Sequence, residues 1–252
     1  MYRPRVIPVL LLHNNGLVKT INFSNNHYIG DPINAVKIFN DLKVDEIVLL
    51  DIEATKANRT ISIDLVREIG EEANMPFSVG GGIKDVNTIK ELTKAGAERV
   101  ILSSYAIENP SFVAEAAANF GASTICVCLD YKKKWGRKYN VYTNSVKKNS
   151  KKDLLSLALK MQKLGAGEII VQSIDRDGIM KGYDIDFIKK ISSHLTIPVV
   201  ALGGVGSISD IEDGYKLGHA NGLAAGSFFV FKGKHRGVLI QYPEIKNYNF
   251  KE

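Results

Sequence analysis

The chain carries one pattern twice, about half its length apart. Val79-Gly80-Gly81-Gly82-Ile83 returns as Leu202-Gly203-Gly204-Val205-Gly206, and Leu49-Leu50-Asp51-Ile52 returns as Gln172-Ser173-Ile174-Asp175. Each half thus places an acid and a glycine cluster behind matching apolar runs. A duplication on this scale points to a fold built from two similar halves. A site shared between them suits a ligand with two similar ends, for example two phosphates.

Short β-rich apolar runs alternate with helical patterns along the whole chain. Strands are expected at 6–12, 46–51, 77–79, 99–102, 124–130, 168–173, 198–202 and 222–225. They are apolar on both sides, as buried parallel strands are. Helices are expected at 31–42, 62–73, 85–95, 110–120, 152–164, 186–193 and 209–217. Asp31-Pro32 opens the first with an N-cap and a proline at the first helical position. Gly96, Gly121, Gly165 and Gly218 stand where a left-handed residue ends a helix. Eight β/α units in one pattern predict an α/β chain forming a single (β/α)8 TIM barrel across residues 1–252, with half-barrels at about 1–121 and 122–252. Two strand-to-helix connections, 13–30 and 131–151, are long and occupy matching places in the two halves. They are expected at the carboxyl-terminal face as lids or binding elements, the second with a β-hairpin at 138–143.

Composition narrows the function. With 252 residues, 45% hydrophobic and 24% charged, the chain reads as an ordinary soluble domain. No apolar run reaches membrane-spanning length and no signal peptide is evident, so a cytoplasmic protein with no membrane partner is expected. Cys126 and Cys128 are the only cysteines; they read as small buried apolar residues and exclude a zinc quartet or a disulfide framework. The net charge of +6 (33 minus 27) gathers at Lys132-Lys133-Lys134, Arg137-Lys138, Lys147-Lys148 and Lys151-Lys152. It is either solvated loop charge or an attraction for an anionic substrate or partner. Nucleic acid is not expected, because no binding motif accompanies it. No metal or cofactor is implied.

Chemistry gathers behind the strands. Gly80-Gly81-Gly82 and Gly203-Gly204-Val205-Gly206 follow the third and seventh, and glycine lets backbone N–H groups approach a phosphate unhindered. Ser103-Ser104 follows the fourth, and Ala225-Gly226-Ser227 the eighth. This paired placement predicts two phosphate-sized anion sites. Asp51, Asp130, Asp175 and Asp177 end strands two, five and six, where a carboxylate orients a substrate hydroxyl or moves a proton, or simply forms a loop cap or ion pair.

These same residues carry a resemblance. Leu49-Leu50-Asp51-Ile52, Phe77 to Ile83, Glu108-Asn109-Pro110-Ser111, Gly165 to Ile169, Ser173-Ile174-Asp175-Arg176-Asp177-Gly178 and Gly182-Tyr183-Asp184 make the chain, from Arg5 to about Phe231, similar to the cyclase subunit of imidazole glycerol phosphate synthase. The resemblance implies a barrel docked on a class I glutaminase, with ammonia passing through the barrel to a bis-phosphorylated ribulosyl intermediate that is cleaved and cyclised. It implies an acid/base pair of aspartates ending the first and fifth strands, and Lys19 as a residue that holds substrate. Asp130 fills the fifth-strand position; Leu11 stands where the first aspartate belongs. His13, Asn14 and Asn15, just beyond, are the places a displaced acid could occupy.

From the resemblance, Asp130 and Lys19 are the catalytic candidates, and Asp51, Gly81, Gly82, Ser103, Ser104, Asp177, Gly178, Gly203, Gly204, Gly226 and Ser227 the phosphate or substrate contacts. Arg5, Glu46, Arg99 and Glu168 match the family's charged ring at the barrel bottom, an ammonia gate and glutaminase-docking surface, with arginine at 99 where lysine is more usual. Residues 226–243, GSFFVFKGKHRGVLIQYP, look like a divergent branch linked to acetamidino modification of bacterial surface sugars. The branch implies two partners, a class I glutaminase and an ATP-dependent sugar amidotransferase. The rival readings are an authentic cyclase-lyase of histidine biosynthesis and a binding barrel with no role in ammonia transfer.

Overall fold

The computed structural model describes residues 3–134, 138–143, 148–233, 235–244 and 247–250. In chain order its main strands are β1 (Arg5–His13), β2 (Gly16–Ile21), β3 (Ser24–Gly30), β4 (Ile47–Asp51), β5 (Phe77–Gly80), β6 (Arg99–Leu102), β7 (Ile125–Lys134), β8 (Lys138–Thr143), β9 (Lys148–Asp153), β10 (Glu168–Ser173), β11 (Val199–Leu202) and β12 (Gly222–Ala225). Of these, β1, β4, β5, β6, β7, β10, β11 and β12 pair in parallel, each with the next, and the β12–β1 ladder closes the barrel. They fall on the eight stretches expected from the sequence. Their side chains divide into two clusters. Residues such as Leu10, Leu49 and Val171 point outward beneath the helices. Ile7, Val9, Leu11, Val48, Cys126 and Ile170 fill the interior. Both cysteines are free and buried in that interior, as expected.

The helices are α1 (Pro32–Asp41), α2 (Ile63–Glu72), α3 (Val86–Lys94), α4 (Ser104–Glu108), α5 (Ser111–Phe120), α6 (Leu154–Lys163), α7 (Ile185–Ser192), α8 (Ile208–Lys216) and α9 (Ser227–Val230). Side-chain caps fix their starts: Asp31 accepts from Asn34 N, Asp85 from Thr88 N and Asp153 from Ser156 N. Ser207 and Asp210 form a reciprocal capping box on α8. Three of the four expected left-handed glycines are found, at Gly96, Gly121 and Gly165. The fourth is a correction: after α8 the left-handed residue is His219, at φ 55°, rather than Gly218.

Among the described residues, both long connections carry strands. Residues 16–30 fold as the β2–β3 hairpin, paired antiparallel to the end of β1. The expected hairpin at 138–143 is corrected to a single strand, β8, lying between an extended β7 and β9. Arg137 and Lys147 of the expected basic clusters lie outside the described residues. This three-stranded extension is anchored by aromatic packing. Tyr139 stacks on Phe187 of α7 with ring centroids 3.7 Å apart and meets Tyr131 edge-on at 5.7 Å. Tyr139→Ala should therefore cost about 3 kcal/mol and speed amide hydrogen exchange across β8 while leaving β1 and β4 protected.

The eighth unit is shorter than the others, and no helix is expected after 222–225. Among the described residues no long helix follows β12. The four-residue α9 leads into a tail that packs on α8 and β1. The Tyr242 hydroxyl donates to Val6 O at 3.1 Å, Asn249 N donates to Glu212 at 2.7 Å, and Phe250 meets Tyr215 at 5.5 Å. Gly233, Gly237 and Pro243 explain the loss, since each opposes helix continuation. Among the described residues, no helix is long and apolar enough to cross a membrane.

Candidate active site at the carboxyl-terminal mouth

The strands of the first half end around a cavity of about 500 Å³. Its rim carries both expected elements of the first anion cradle, Gly80-Gly81-Gly82 and Ser103-Ser104. Gly82 has φ +68°, and a Cβ there would stand 1.9 Å from Arg59 O, so no other residue fits this turn. The Ser103 hydroxyl is buried with no hydrogen-bond partner among the described residues. A buried hydroxyl in that state is costly unless a ligand or water completes it. Lys56 and Lys84 add positive charge to the same wall.

Asp51 lines this cavity but is engaged by its own loop. Its carboxylate accepts from Glu53 N and Ala54 N, each at 3.0 Å, and is bridged by Arg59. Asp175 likewise accepts from Lys133 N at 3.0 Å, tying β10 to the β7 extension. The Arg176 guanidinium donates to Gly182 O at 2.9 Å.

Asp130 stands on the inner wall of the large cavity, near the end of the apolar part of β7. Burial raises its carboxyl to about 7; the Cys128 thiol, 3.5 Å away, pulls it down slightly, and the charge of Asp177 pushes it up. A carboxyl near 7 exchanges protons efficiently at neutral pH. Leu11 lines the same cavity, 7% exposed, and it offers no proton. His13, the displaced-acid candidate, pairs with Glu53 at 3.1 Å and is absent from the cavity lining. Gln172, overlooked in the sequence, lines the cavity beside Cys128. A polar side chain directly following the apolar run Ile169-Ile170-Val171, still within the strand, was the available signal.

The second half of the mouth is narrower. Gly203, Gly204, Gly226, Ser227, Asp177 and Gly178 come together as expected, but around only about 20 Å³. Lys19 is among them and not in the larger cavity with Asp130. Its ammonium donates to Val9 O and lies against Gly226, where a Cβ would sit 2.7 Å from Nζ. Burial lowers Lys19 to about 8, partly offset by Asp177. Asp177 accepts from the Thr20 hydroxyl at 2.7 Å and from Phe23 N at 3.2 Å, and burial raises its own pKa. Leu11 and Gln172 line both compartments and form their common boundary.

At the opposite end of the barrel, Arg5, Glu46, Arg99 and Glu168 form one ion-pair network. Arg5 bridges Glu46 at 2.5 Å and also Glu168, and Arg99 reaches Glu46 at 3.3 Å. Ser78 donates to Glu46 at 2.9 Å. Burial alone would lower the Arg5 pKa, but the two carboxylates more than offset it and the net shift is upward. Burial raises Glu168. Between this ring and Asp130 lie packed apolar side chains and the two cysteines.

The fold and site define a (β/α)8 barrel with glycine–serine strand ends and a buried acid at one mouth and a charged ring at the other. Within that class the chain belongs to the histidine biosynthesis protein family, whose sequence profile matches residues 5–236. It is 47% identical over 244 residues, 96% of each chain, to "Putative imidazole glycerol phosphate synthase subunit HisF" of Leptospira borgpetersenii. It is 44% identical over 244 residues, 96% of this chain and 94% of the other, to "Putative imidazole glycerol phosphate synthase subunit hisF3" of Vibrio vulnificus. The imidazole glycerol phosphate synthase subunit HisF of Clostridium botulinum is 38% identical over 253 residues, 100% of this chain and 98% of the other.

Proposed function

We propose that this barrel is the cyclase-like subunit of a glutamine amidotransferase system that does not make imidazole glycerol phosphate. A class I glutaminase docks on the ring of Arg5, Glu46, Arg99 and Glu168. Ammonia enters there, follows the interior and reaches Asp130. It is used in amidination of a nucleotide-linked sugar destined for surface polysaccharide, with an ATP-dependent sugar amidotransferase as the third component. Asp130 orients ammonia or the recipient and moves a proton, and the first glycine–serine cradle holds a phosphate.

Leu11 carries this reading. Cyclisation by an acid/base pair needs two proton-transfer groups, and loss of one typically costs about 10²–10⁴ in rate. Leu11 and Asp130 share one cavity, so the substitution sits where the second acid would act. His13 does not replace it, being held by Glu53. The axis between the ring and Asp130 is filled by packed apolar side chains, so passage of ammonia requires those side chains to part, a movement that a small neutral molecule demands least. The test is to supply the bis-phosphorylated ribulosyl intermediate with ammonium salt. Imidazole formation should lie at least about 10²-fold below that of the Clostridium botulinum relative assayed beside it. Comparable turnover would restore the histidine-pathway reading.

A further inference from the structure

We infer that the three-stranded extension of β7, β8 and β9 is the docking surface for the enzyme that consumes the ammonia, which meets it with an acidic face and so covers the mouth. This rests on the reading of the barrel as an ammonia-delivering subunit and adds where its third component binds.

The basic charge is gathered in one element. Residues 131–152 hold nine lysines and arginines and no aspartate or glutamate, while the rest of the chain holds 24 basic residues (33 minus 9) against 27 acidic ones. That element stands at the mouth. β7 runs on from Asp130, which lines the large cavity, and alternation along a strand puts Lys132 and Lys134 on the same side as Asp130. At the outer strand, Lys148 pairs with Glu108 at 2.9 Å and Lys152 donates to Ile107 O. These contacts fasten β9 to α4, whose Ser104 and Tyr105 line the cavity. The lysines are therefore carried on an anchored sheet, which lowers the ordering cost of binding.

The charge does not serve the cavity itself, since Lys132, Lys133, Lys134, Lys148 and Lys151 are all absent from its lining. Protection of a sheet edge accounts for lysine on β9, the outer strand, but not on β7, which pairs with β8 and β10. Single-stranded nucleic acid needs open aromatic faces beside the cations. Here Tyr139 is stacked on Phe187, and Lys132 Nζ lies 5.5 Å from the centre of the Tyr142 ring. A lipid surface needs an exposed apolar face; among the described residues the large exposed hydrophobic side chains all lie outside 131–152. An acidic protein face fits what is left, and the position gives it a purpose. Ammonia released into water at neutral pH becomes ammonium, which is not a nucleophile, so the enzyme that uses it must close the mouth from which it emerges.

The test uses the whole chain with the class I glutaminase and the ATP-dependent sugar amidotransferase of the same host. Lys134→Glu with Lys151→Glu reverses two exposed lysines of the extension, and Lys90→Glu with Lys163→Glu makes the same charge change on α3 and α6. Urea midpoints check that both double variants fold. Association of the amidotransferase with the unaltered chain should slow at least about tenfold between about 0.05 M and about 0.5 M salt. The extension variant should lose at least about tenfold in affinity for it, while the control variant, and every glutaminase complex, stays within about twofold. Equal affinities in the two double variants, or association indifferent to salt, would overturn the docking surface and leave the ammonia-delivering reading in place. A short RNA, or vesicles of phosphatidylglycerol, bound by the unaltered chain and released by the extension variant while the amidotransferase is unaffected, would give the surface to a polyanion and overturn it as well. An amidotransferase that does not bind at all, beside an intact glutaminase complex, would remove both the surface and the third component.

Discussion

Asparagine at position 130 should make the protein more stable above pH 7 while removing most of its activity. Burial raises the Asp130 carboxyl from 3.8 to about 7. The folded state therefore holds this proton more tightly than the unfolded chain. The resulting stability is full below about pH 4 and is lost as the pH rises through 7. A tenfold difference in proton affinity between the two states is worth about 1.4 kcal/mol. Asp130→Asn should thus gain on the order of 2–4 kcal/mol at pH 8 and little at pH 4. Urea denaturation at the two pH values measures this. Ammonia-dependent product formation in the reconstituted system should fall by about 10²–10⁴, the usual worth of a proton-transfer group. The wild-type rate should also titrate with an apparent pKa near 7. An equal loss of stability at both pH values would mean that Asp130 is a structural acceptor, with no functional strain stored in it.

Glu46→Ala should act at the other end of the barrel, and in the opposite sense on stability. Glu46 accepts from Arg5, Arg99 and Ser78 and is 2% exposed. Removing one member of a buried ion network costs about 3–5 kcal/mol, since it leaves the partner charges without compensation. Arg5 retains Glu168, so the barrel should survive with a lower unfolding midpoint. In the assembled system glutamine hydrolysis should continue, with ammonia appearing in bulk solvent rather than in product. Glu46→Gln keeps the size and the Ser78 contact, so comparing the two variants separates charge from shape. Full coupling in Glu46→Ala would remove the ring from the ammonia path.

The barrel strands were legible because burial on both faces leaves little choice of residue: Val6–Leu12 or Ile169–Val171 admit few other readings. The helix starts were legible where a cap such as Asp31 or Asp85 sits one residue before the apolar pattern. The β2–β3 hairpin was not. Ser24-Asn25-Asn26-His27 has weak strand propensity, and it is a strand because β2 pairs with it and Phe231 packs on it, more than 200 positions away in sequence. The same holds for β8, whose Tyr139 finds Phe187 on a later helix. No helix was expected after 222–225, and Gly233, Gly237 and Pro243 are residues that oppose one there.

Within the site, the acids and glycines were found because they interrupt apolar strands, and their positions repeat. Their differences in use were not visible. Asp51 and Asp177 look alike in sequence, yet Arg59 and the backbone of residues 53 and 54 hold one, and the hairpin holds the other. Those partners are set by loop conformation and by contacts more than 150 residues apart. Duplication made the halves alike in residues, while the partners each acid finds were set by the loop or hairpin that covers it.

Glutamine hydrolysis by the cognate class I glutaminase, measured alone and with one equivalent of this chain, decides whether the barrel is an ammonia-accepting subunit. A one-to-one complex should form, and the rate should rise by at least about tenfold, within the usual range of coupling between linked sites. A glutaminase that forms no complex, with a rate unchanged by the barrel, would contradict that role.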